Sequence, residues 1–311
     1  MDKPDLEDLK QFVLEHPFPT DILIETIAYC NLKCIMCPQS RLSRPKGKMS
    51  FELWKKIIDE VASKSPQTKI WPALMGEPLL LGDENFRMIR YAKDRGIQYI
   101  ALNSNLGVFR KDMIDGFFDS GLDELIVGID AFTPETYAKI RVGGDLETLV
   151  ENIHFIIDEK EKRGLSHPIV TLQYIVMDEN EHEEEAFVDY WVKQGKKLKL
   201  KVKPRTGWSE AVEPWRGIVN VSQQDRHLPC TWLLRQMTIF WDGHVPQCDG
   251  DWDGKTRFGD VNRQSIEEIW NGSLKTLRNR HMQLDFNFYP CNKCEDWQAG
   301  RSKNIECGSD A

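Results

Sequence analysis

Apolar positions in this chain fall into short and long patterns that alternate. Residues 22–28 form an apolar, β-prone run, and Ser50 then stands as an N-cap before a helical pattern over 51–62, with Glu52 in its first turn. The rhythm recurs: a strand pattern over 69–74 precedes a helix over 85–95, one over 97–103 a helix over 111–120, and one over 124–130 a helix over 146–163. Gly96, Gly121 and Gly164 follow these helices, where a left-handed C-cap favours glycine. A strand over 169–177 with a helix over 183–194, then a strand over 198–203, completes the series. Strands alternating with helices predict an α/β fold with a parallel sheet. Six strands are too few for a closed eightfold barrel, so the pattern predicts an open, partial (β/α)6 TIM-like barrel over residues 21–204, preceded by an N-terminal extension, 1–20.

After Pro204 the alternation stops. Residues 205–311 hold five of the eight cysteines and seven of the ten tryptophans, which places a domain boundary there. Within this part, 237–245 reads as a strand pair around the turn dipeptide Asp242-Gly243, and 265–280 as one capped helix. There is no internal repeat or low-complexity tract.

Two charged runs read as ordinary surface. The acids of 179–185 complement a helix N-terminus. Lys199, Lys201 and Lys203 alternate with Leu198, Leu200 and Val202, the pattern of an edge strand with one wet face.

With 311 residues the chain can bury a large core. A net charge of −8 without a dominant basic block makes nucleic acid and anionic membrane poor partners. Residues 1–20 mix acids, lysines and prolines and contain no apolar stretch long enough for a signal peptide or membrane span, so the expected location is cytoplasmic. Eight cysteines in such a chain argue for metal or redox chemistry, and for oxygen sensitivity, over disulfides.

The most informative motif is Cys30-x3-Cys34-x2-Cys37. Three thiolates so spaced can hold three irons of a four-iron cluster and leave the fourth open to a ligand. Zinc sites usually take four ligands in two separated pairs, which makes zinc the weaker reading. A second group, Cys230, Cys248 and the pair Cys291-x2-Cys294, supplies four thiolates; spacing alone allows either an iron–sulfur cluster or tetrahedral zinc there. None of the seven histidines stands at ligand spacing with another.

On the first motif the chain resembles the radical S-adenosylmethionine (SAM) superfamily. The resemblance implies a [4Fe-4S] cluster on Cys30, Cys34 and Cys37, SAM chelated to its open iron, reductive cleavage to a 5′-deoxyadenosyl radical, and an external one-electron donor such as flavodoxin or ferredoxin. Met75-Gly76-Glu77-Pro78 resembles the segment that binds the methionine amino group, with Met75 in place of the first glycine. Asn103-Ser104-Asn105 stands in the place of the ribose-contact segment, although such residues suit turns equally well. Met36 sits where many members carry an aromatic or histidine beside the adenine. Residues 125–130, followed by Thr133-Pro134-Glu135-Thr136-Tyr137 and Arg141, resemble the fourth-strand segment of the branch with a C-terminal cluster domain; Asp130 either lines the cavity or caps the next turn.

The later cysteines, with Trp241-Asp242-Gly243, Phe258-Gly259-Asp260-Val261 and Ile269-Trp270, resemble SPASM/twitch domains and imply one auxiliary [4Fe-4S] cluster in 205–311. Many SPASM enzymes that act on peptides carry seven or more cysteines in this region. The four-cysteine pattern is closer to that of 2-deoxy-scyllo-inosamine dehydrogenases, so the expected reaction is oxidation of a sugar or cyclitol carbinol with the auxiliary cluster as electron acceptor. A small-molecule substrate is thus expected ahead of a peptide. Arg205 and Asp249, at the junction of the two parts, are candidate proton acceptors. Cys307 is either a free terminal thiol or the hydrogen-atom donor of an epimerase. Behind these readings stand side-chain maturation of a peptide or protein and, last, a non-catalytic electron-transfer role. The tryptophans, including Trp208, Trp215, Trp232, Trp241, Trp252 and Trp297, could stack on a sugar, shield a cluster or fill a small core.

Overall fold

A computed structural model describes residues 5–205, 207–208, 228–294, 296–298 and 302–308. Trp215 and His227 lie outside the described residues, as does part of the segment after Pro204. The first helix, α1 (Leu6–Glu15), opens with a capping box on Asp5. The barrel strands are β1 (Asp21–Ile24), β2 (Lys69–Trp71), β3 (Ala101–Ser104), β4 (Glu124–Gly128), β5 (Ile169–Val176) and β6 (Leu198–Pro204). Between them run α2 (Phe51–Lys64), α3 (Asp83–Asp94), α4 (Ile114–Asp119), α5 (Pro134–Ile140), α6 (Leu146–Lys162) and α7 (Glu184–Lys193).

Parallel pairing runs from β1 to β2 and from β3 through β4 and β5 to β6. A single bridge, Ile70 to Ile100, links the two sheets. The result is the open, partial barrel that the alternation predicts. Apolar side chains on the outer face pack against the helices, with Ile22, Ile24, Leu125, Leu172, Leu200, Trp54 and Trp191 all fully or nearly fully buried. Among the described residues no helix is long and apolar enough to cross a membrane.

The C-terminal part differs from its sequence pattern. It consists of α8 (Thr231–Arg235), β7 (Gln236–Ile239), β8 (His244–Val245), β9 (Gly259–Asp260), α9 (Ile266–Asn271), α10 (Ser273–Met282) and β10 (Lys303–Cys307). The expected strands β7 and β8 flank the turn at Asp242-Gly243 and are joined across it by the Phe240 amide and the His244 carbonyl at 2.9 Å, but they do not continue as a hairpin ladder: β7 lies parallel to β1, with Ile22 opposite Met237, and β8 pairs with β9. The buried β7 finds its partner in the barrel. The single helix expected over 265–280 is two helices, because Gly272 adopts φ −95°, ψ −103° and any Cβ there would lie 2.6 Å from the Glu268 carbonyl.

Strand β6 is not an edge. β10 runs antiparallel along it, with Ile305 opposite Leu200. The two outer places of the barrel sheet are thus taken by β7 beside β1 and by β10 beside β6. The acids of 179–185 are also not all solvated. Glu183 is buried and accepts the Phe132 amide at 2.7 Å and the Thr136 hydroxyl at 2.7 Å, capping the start of α5. Burial opposes its charge, but these hydrogen bonds outweigh it and hold its carboxyl below the usual range.

Candidate active site

Cys30, Cys34 and Cys37 sit on the loop that leaves the C-terminal end of β1, the end where barrels of this kind keep their chemistry. The loop is held by backbone bonds: Lys33 donates to Val142 at 2.9 Å, Ile35 to Ile140 at 3.0 Å, and Cys37 to Cys34 at 3.1 Å. Met36 is buried against Ile140 and Met177 and anchors the loop from beneath. Burial pushes the thiols of Cys30 and Cys37 up, to about 11 and about 12, and Cys34 rises for the same reason. Each would lose its proton most readily to a metal. The sulfurs are met by N–H donors: Leu32 N to Cys30 Sγ at 3.4 Å, Asn105 Nδ2 to the same sulfur at 3.8 Å, and Arg141 Nη1 to Cys34 Sγ at 3.7 Å.

Gly76 explains how the second strand's loop meets this one. A Cβ at Gly76 would lie 2.0 Å from the Ile27 carbonyl oxygen, so only glycine allows the approach that brings the Glu77 amide to the Tyr29 carbonyl at 2.9 Å. Pro78 then opens a short helical turn whose cap is Glu77. The Glu77 carboxylate is buried and accepts from Ser104 Oγ at 2.8 Å, Asn105 N at 2.8 Å and Leu79 N at 3.0 Å. Burial raises its pKa in spite of these donors. Asn105 reaches on to Asn31 at 3.0 Å, while Asn103, next along β3, is exposed on the inner face. The structure therefore brings Gly76, Glu77 and Asn105 to the cysteine loop, with Pro78 in the turn after Glu77 and Asn103 on β3, two residues before Asn105.

Asp130 does more than cap a turn. It holds a left-handed φ of 56°, accepts the Ile175 amide on Oδ1 at 2.7 Å, and on Oδ2 takes both Nη2 of Arg141 and its Nε, the latter 2.7 Å away. Gly128 makes room for that guanidinium, since a Cβ there would lie 2.0 Å from Arg141 Nη2. Arg141 is thus a fixed cation between Asp130 and Cys34. Sequence reasoning did not single it out by role. Its signal was the Gly128–Asp130–Arg141 pattern after the fourth strand.

The second cysteine group gathers around β8. Cys230 precedes α8, Cys248 follows β8, and Cys291 and Cys294 share the turn after α10. Burial first, then Asp249 and the other three thiols, raises the Cys248 pKa. Gln247 Nε2 donates to Cys291 Sγ at 3.0 Å. His281, fully buried, accepts the Cys230 amide on Nδ1 at 3.2 Å, which leaves Nε2 as the donor to Cys291 Sγ at 3.3 Å. The two cysteines that this histidine bridges lie 51 and 10 residues from it in sequence, so ligand-spacing arguments could not find it.

Both groups fit iron and sulfur. The donors are soft thiols met by N–H groups, and Cys248 lies within electrostatic reach of Cys230, Cys291 and Cys294.

The two parts dock through Arg44. It forms a buried bidentate pair with Glu25, at 2.6 and 2.8 Å, lies 4.0 Å above the Phe240 ring and donates to the Trp252 carbonyl at 3.0 Å. Trp241 donates to the Pro45 carbonyl at 3.2 Å and covers Gly47, where a Cβ would lie 2.5 Å from its ring. These two tryptophans are docking residues.

Arg205 and Asp249 both come to the inner end of β6. Arg205 is buried and pairs with Glu179 at 3.4 Å, and Asp249 takes a hydrogen bond from Gln236. Burial, then Asp296, raises the Asp249 pKa. Cys307 does not join them. It is paired with Leu198, at the opposite end of β6 from the cysteine loop, and is buried in the outer core. A hydrogen-atom donor must reach the substrate carbon, and this thiol faces the helices instead.

Residues 24–190 match the radical SAM superfamily, and residues 230–295 match an iron–sulfur cluster-binding domain, SPASM. A probable GTP 3′,8-cyclase of Methanococcus maripaludis is 31% identical over 173 residues, covering 55% of this chain and 54% of that protein. The chain therefore spans about half the length of the curated relatives it matches. Among solved structures, BtrN in complex with AdoMet and 2-DOIA superposes with a TM-score of 0.59 at 15% identity, covering 93% of this chain and 95% of that one. anSMEcpe with bound AdoMet gives 0.62 at 15% identity, covering 89% and 86%. At such identity these two establish a shared fold. With the matched family spanning more than half of its residues, the chain belongs to the radical SAM superfamily, a SAM-dependent enzyme with a [4Fe-4S] cluster on its barrel loop and a SPASM domain for auxiliary iron and sulfur.

Proposed function

We propose that residues 21–204 carry SAM and the substrate, that residues 205–311 carry one auxiliary [4Fe-4S] cluster, and that the enzyme oxidises a carbinol of a sugar or cyclitol to a ketone. When bound, the cofactors supply a 5′-deoxyadenosyl radical that takes the carbinol hydrogen atom, and an auxiliary cluster that accepts the electron left behind. The chain's own residues prepare that step. Arg141, held by Asp130, offers its guanidinium to the methionine carboxylate of SAM. Glu77 fixes the loops of β2 and β3, so that Asn103 and Asn105 stand where ribose hydroxyls would be met. Asp249 is assigned the carbinol proton by position, and Arg205, whose guanidinium does not give up its proton, holds substrate beside it.

One observation carries this reading: a single group of four cysteines has its member Cys248 next to Asp249, which lies within electrostatic reach of Lys203 on the inner face of β6. An electron acceptor and a proton acceptor thus border the same chamber. The seat of Cys307 leaves an epimerase reading without that donor.

Anaerobic iron and sulfide analysis, joined to a SAM-cleavage assay over sugars, cyclitols and peptides, tests the proposal. About eight irons per chain with substrate-dependent 5′-deoxyadenosine and a ketone product is the expected result, two four-iron clusters being required. About four irons, or an epimer or cross-link as product, overturns it.

A further inference from the structure

Two lysines on the inner face of β6 have no partner. β6 alternates Leu198, Leu200 and Val202, which are buried in the outer core against α7, with Lys199, Lys201 and Lys203, which point the other way into the barrel. Lys199 pairs with Glu306 at 2.9 Å. Among the described residues neither the Lys201 nor the Lys203 side chain makes an ion pair or a hydrogen bond; their charged neighbours, Glu124 and Arg235 for Lys201 and Asp130, Asp249 and Arg141 for Lys203, act only at longer range.

The nearby acids are already served. Asp130 is committed to Arg141 and the Ile175 amide. Glu124 accepts the Tyr99 and Thr171 hydroxyls, each at 2.5 Å, and Asp249 takes the Gln236 side chain. Two residues beyond Lys203, the Nε of Arg205 is buried without a hydrogen-bond partner. Three cations at alternate positions, two on β6 and one just past its end, two of them without a counter-ion, are costly in a protein interior unless something else completes them.

We propose that they are completed by the substrate: it carries an anionic group, phosphate or carboxylate, which Lys203 and Lys201 receive in the barrel while its carbinol faces the cysteine loop. This rests on the reading of the barrel interior as the substrate chamber and names the class of molecule that enters it. An amine-bearing cyclitol would meet like charge there and be rejected. Burial first, then Lys201, pushes the Lys203 ammonium down to about 8, so above that pH an arriving anion draws a proton with it.

Calorimetric titration of the anaerobically reconstituted protein tests this with two matched pairs, myo-inositol against myo-inositol 1-phosphate and glucose against glucuronate. One anionic member should bind at least tenfold more tightly than its neutral partner, and which pair shows the preference distinguishes phosphate from carboxylate. K203M should remove that preference, K203R should keep much of it, and K199M should leave it intact. Repeating the titration at pH 8.5 in two buffers of different ionisation heat should reveal proton uptake in the wild type. Equal affinities within both pairs, no binding of either anion, or an unchanged preference in a folded K203M overturns the proposal. Reductive SAM cleavage without substrate, measured on the same preparations, reports on the radical reading alone, so failure of one is distinguishable from failure of the other.

Discussion

Glu77 accepts the backbone amide of Asn105 at 2.8 Å, and Asn105 in turn reaches Asn31 and the Cys30 sulfur. One carboxylate therefore ties the ends of β2 and β3 to the cluster loop. E77A leaves the Ser104 hydroxyl and two amides without an acceptor and should cost about 3 kcal/mol in urea denaturation of the apoprotein. SAM affinity of the reconstituted enzyme should fall tenfold or more, while E77Q, which keeps one acceptor oxygen, should lose less of both. A wild-type urea midpoint for E77A would refute the role given to this carboxylate.

Gly76 and Gly128 are both needed, for different reasons. G76A drives a methyl group into a backbone oxygen, which cannot yield, so a loss of about 2–4 kcal/mol is expected by thermal or chemical unfolding. G128A presses on the end of a side chain. It should cost less stability but turn Arg141 away from Cys34, which equilibrium dialysis would read as weaker SAM binding at nearly unchanged folding. Equal effects of the two variants on stability would contradict this division.

Lys203 makes stability depend on pH in a stated direction. Burial, then Lys201, lowers its folded-state value from 10.5 to about 8, so between these values the unfolded chain holds more protons and stability rises with pH. Below pH 8 the unpaired charge exerts its full cost. K203M should therefore be more stable than wild type at pH 7, by about 1–3 kcal/mol, with the gap closing towards pH 10. Urea denaturation at several pH values checks both the sign and the closing.

Cys307 should be dispensable for chemistry. C307A removes a small buried group from the outer core, at a cost of about 1 kcal/mol, and should leave 5′-deoxyadenosine formation and product turnover unchanged. A large loss of turnover in a folded C307A protein would restore the donor reading.

Features that depend on local pattern were legible in the sequence. The strand–helix alternation, the three clustered cysteines and Gly76-Glu77-Pro78 are each contained in a few consecutive residues, and the alternation is present in the fold. Features that depend on distant partners were not. Lys201 and Lys203 have the period of a half-wet edge strand, and only β10, about a hundred residues later in the chain, takes that edge away. Met237 and Thr238 fit a hairpin as well as a barrel strand, and the choice is made by Ile22 and Leu23 on β1. His281 meets Cys230 and Cys291 only after α10 has packed.

The flanking of β1 by β7 and of β6 by β10 also sets an order of assembly. A nascent chain that has emerged only as far as β6 exposes raw hydrogen-bonding margins on both sides of its sheet, which invite association with neighbouring chains. Those margins are covered only when the last described strand, ending at Cys307, has left the ribosome. Shortened versions ending near residue 204 should therefore collect in the insoluble fraction of an expression culture.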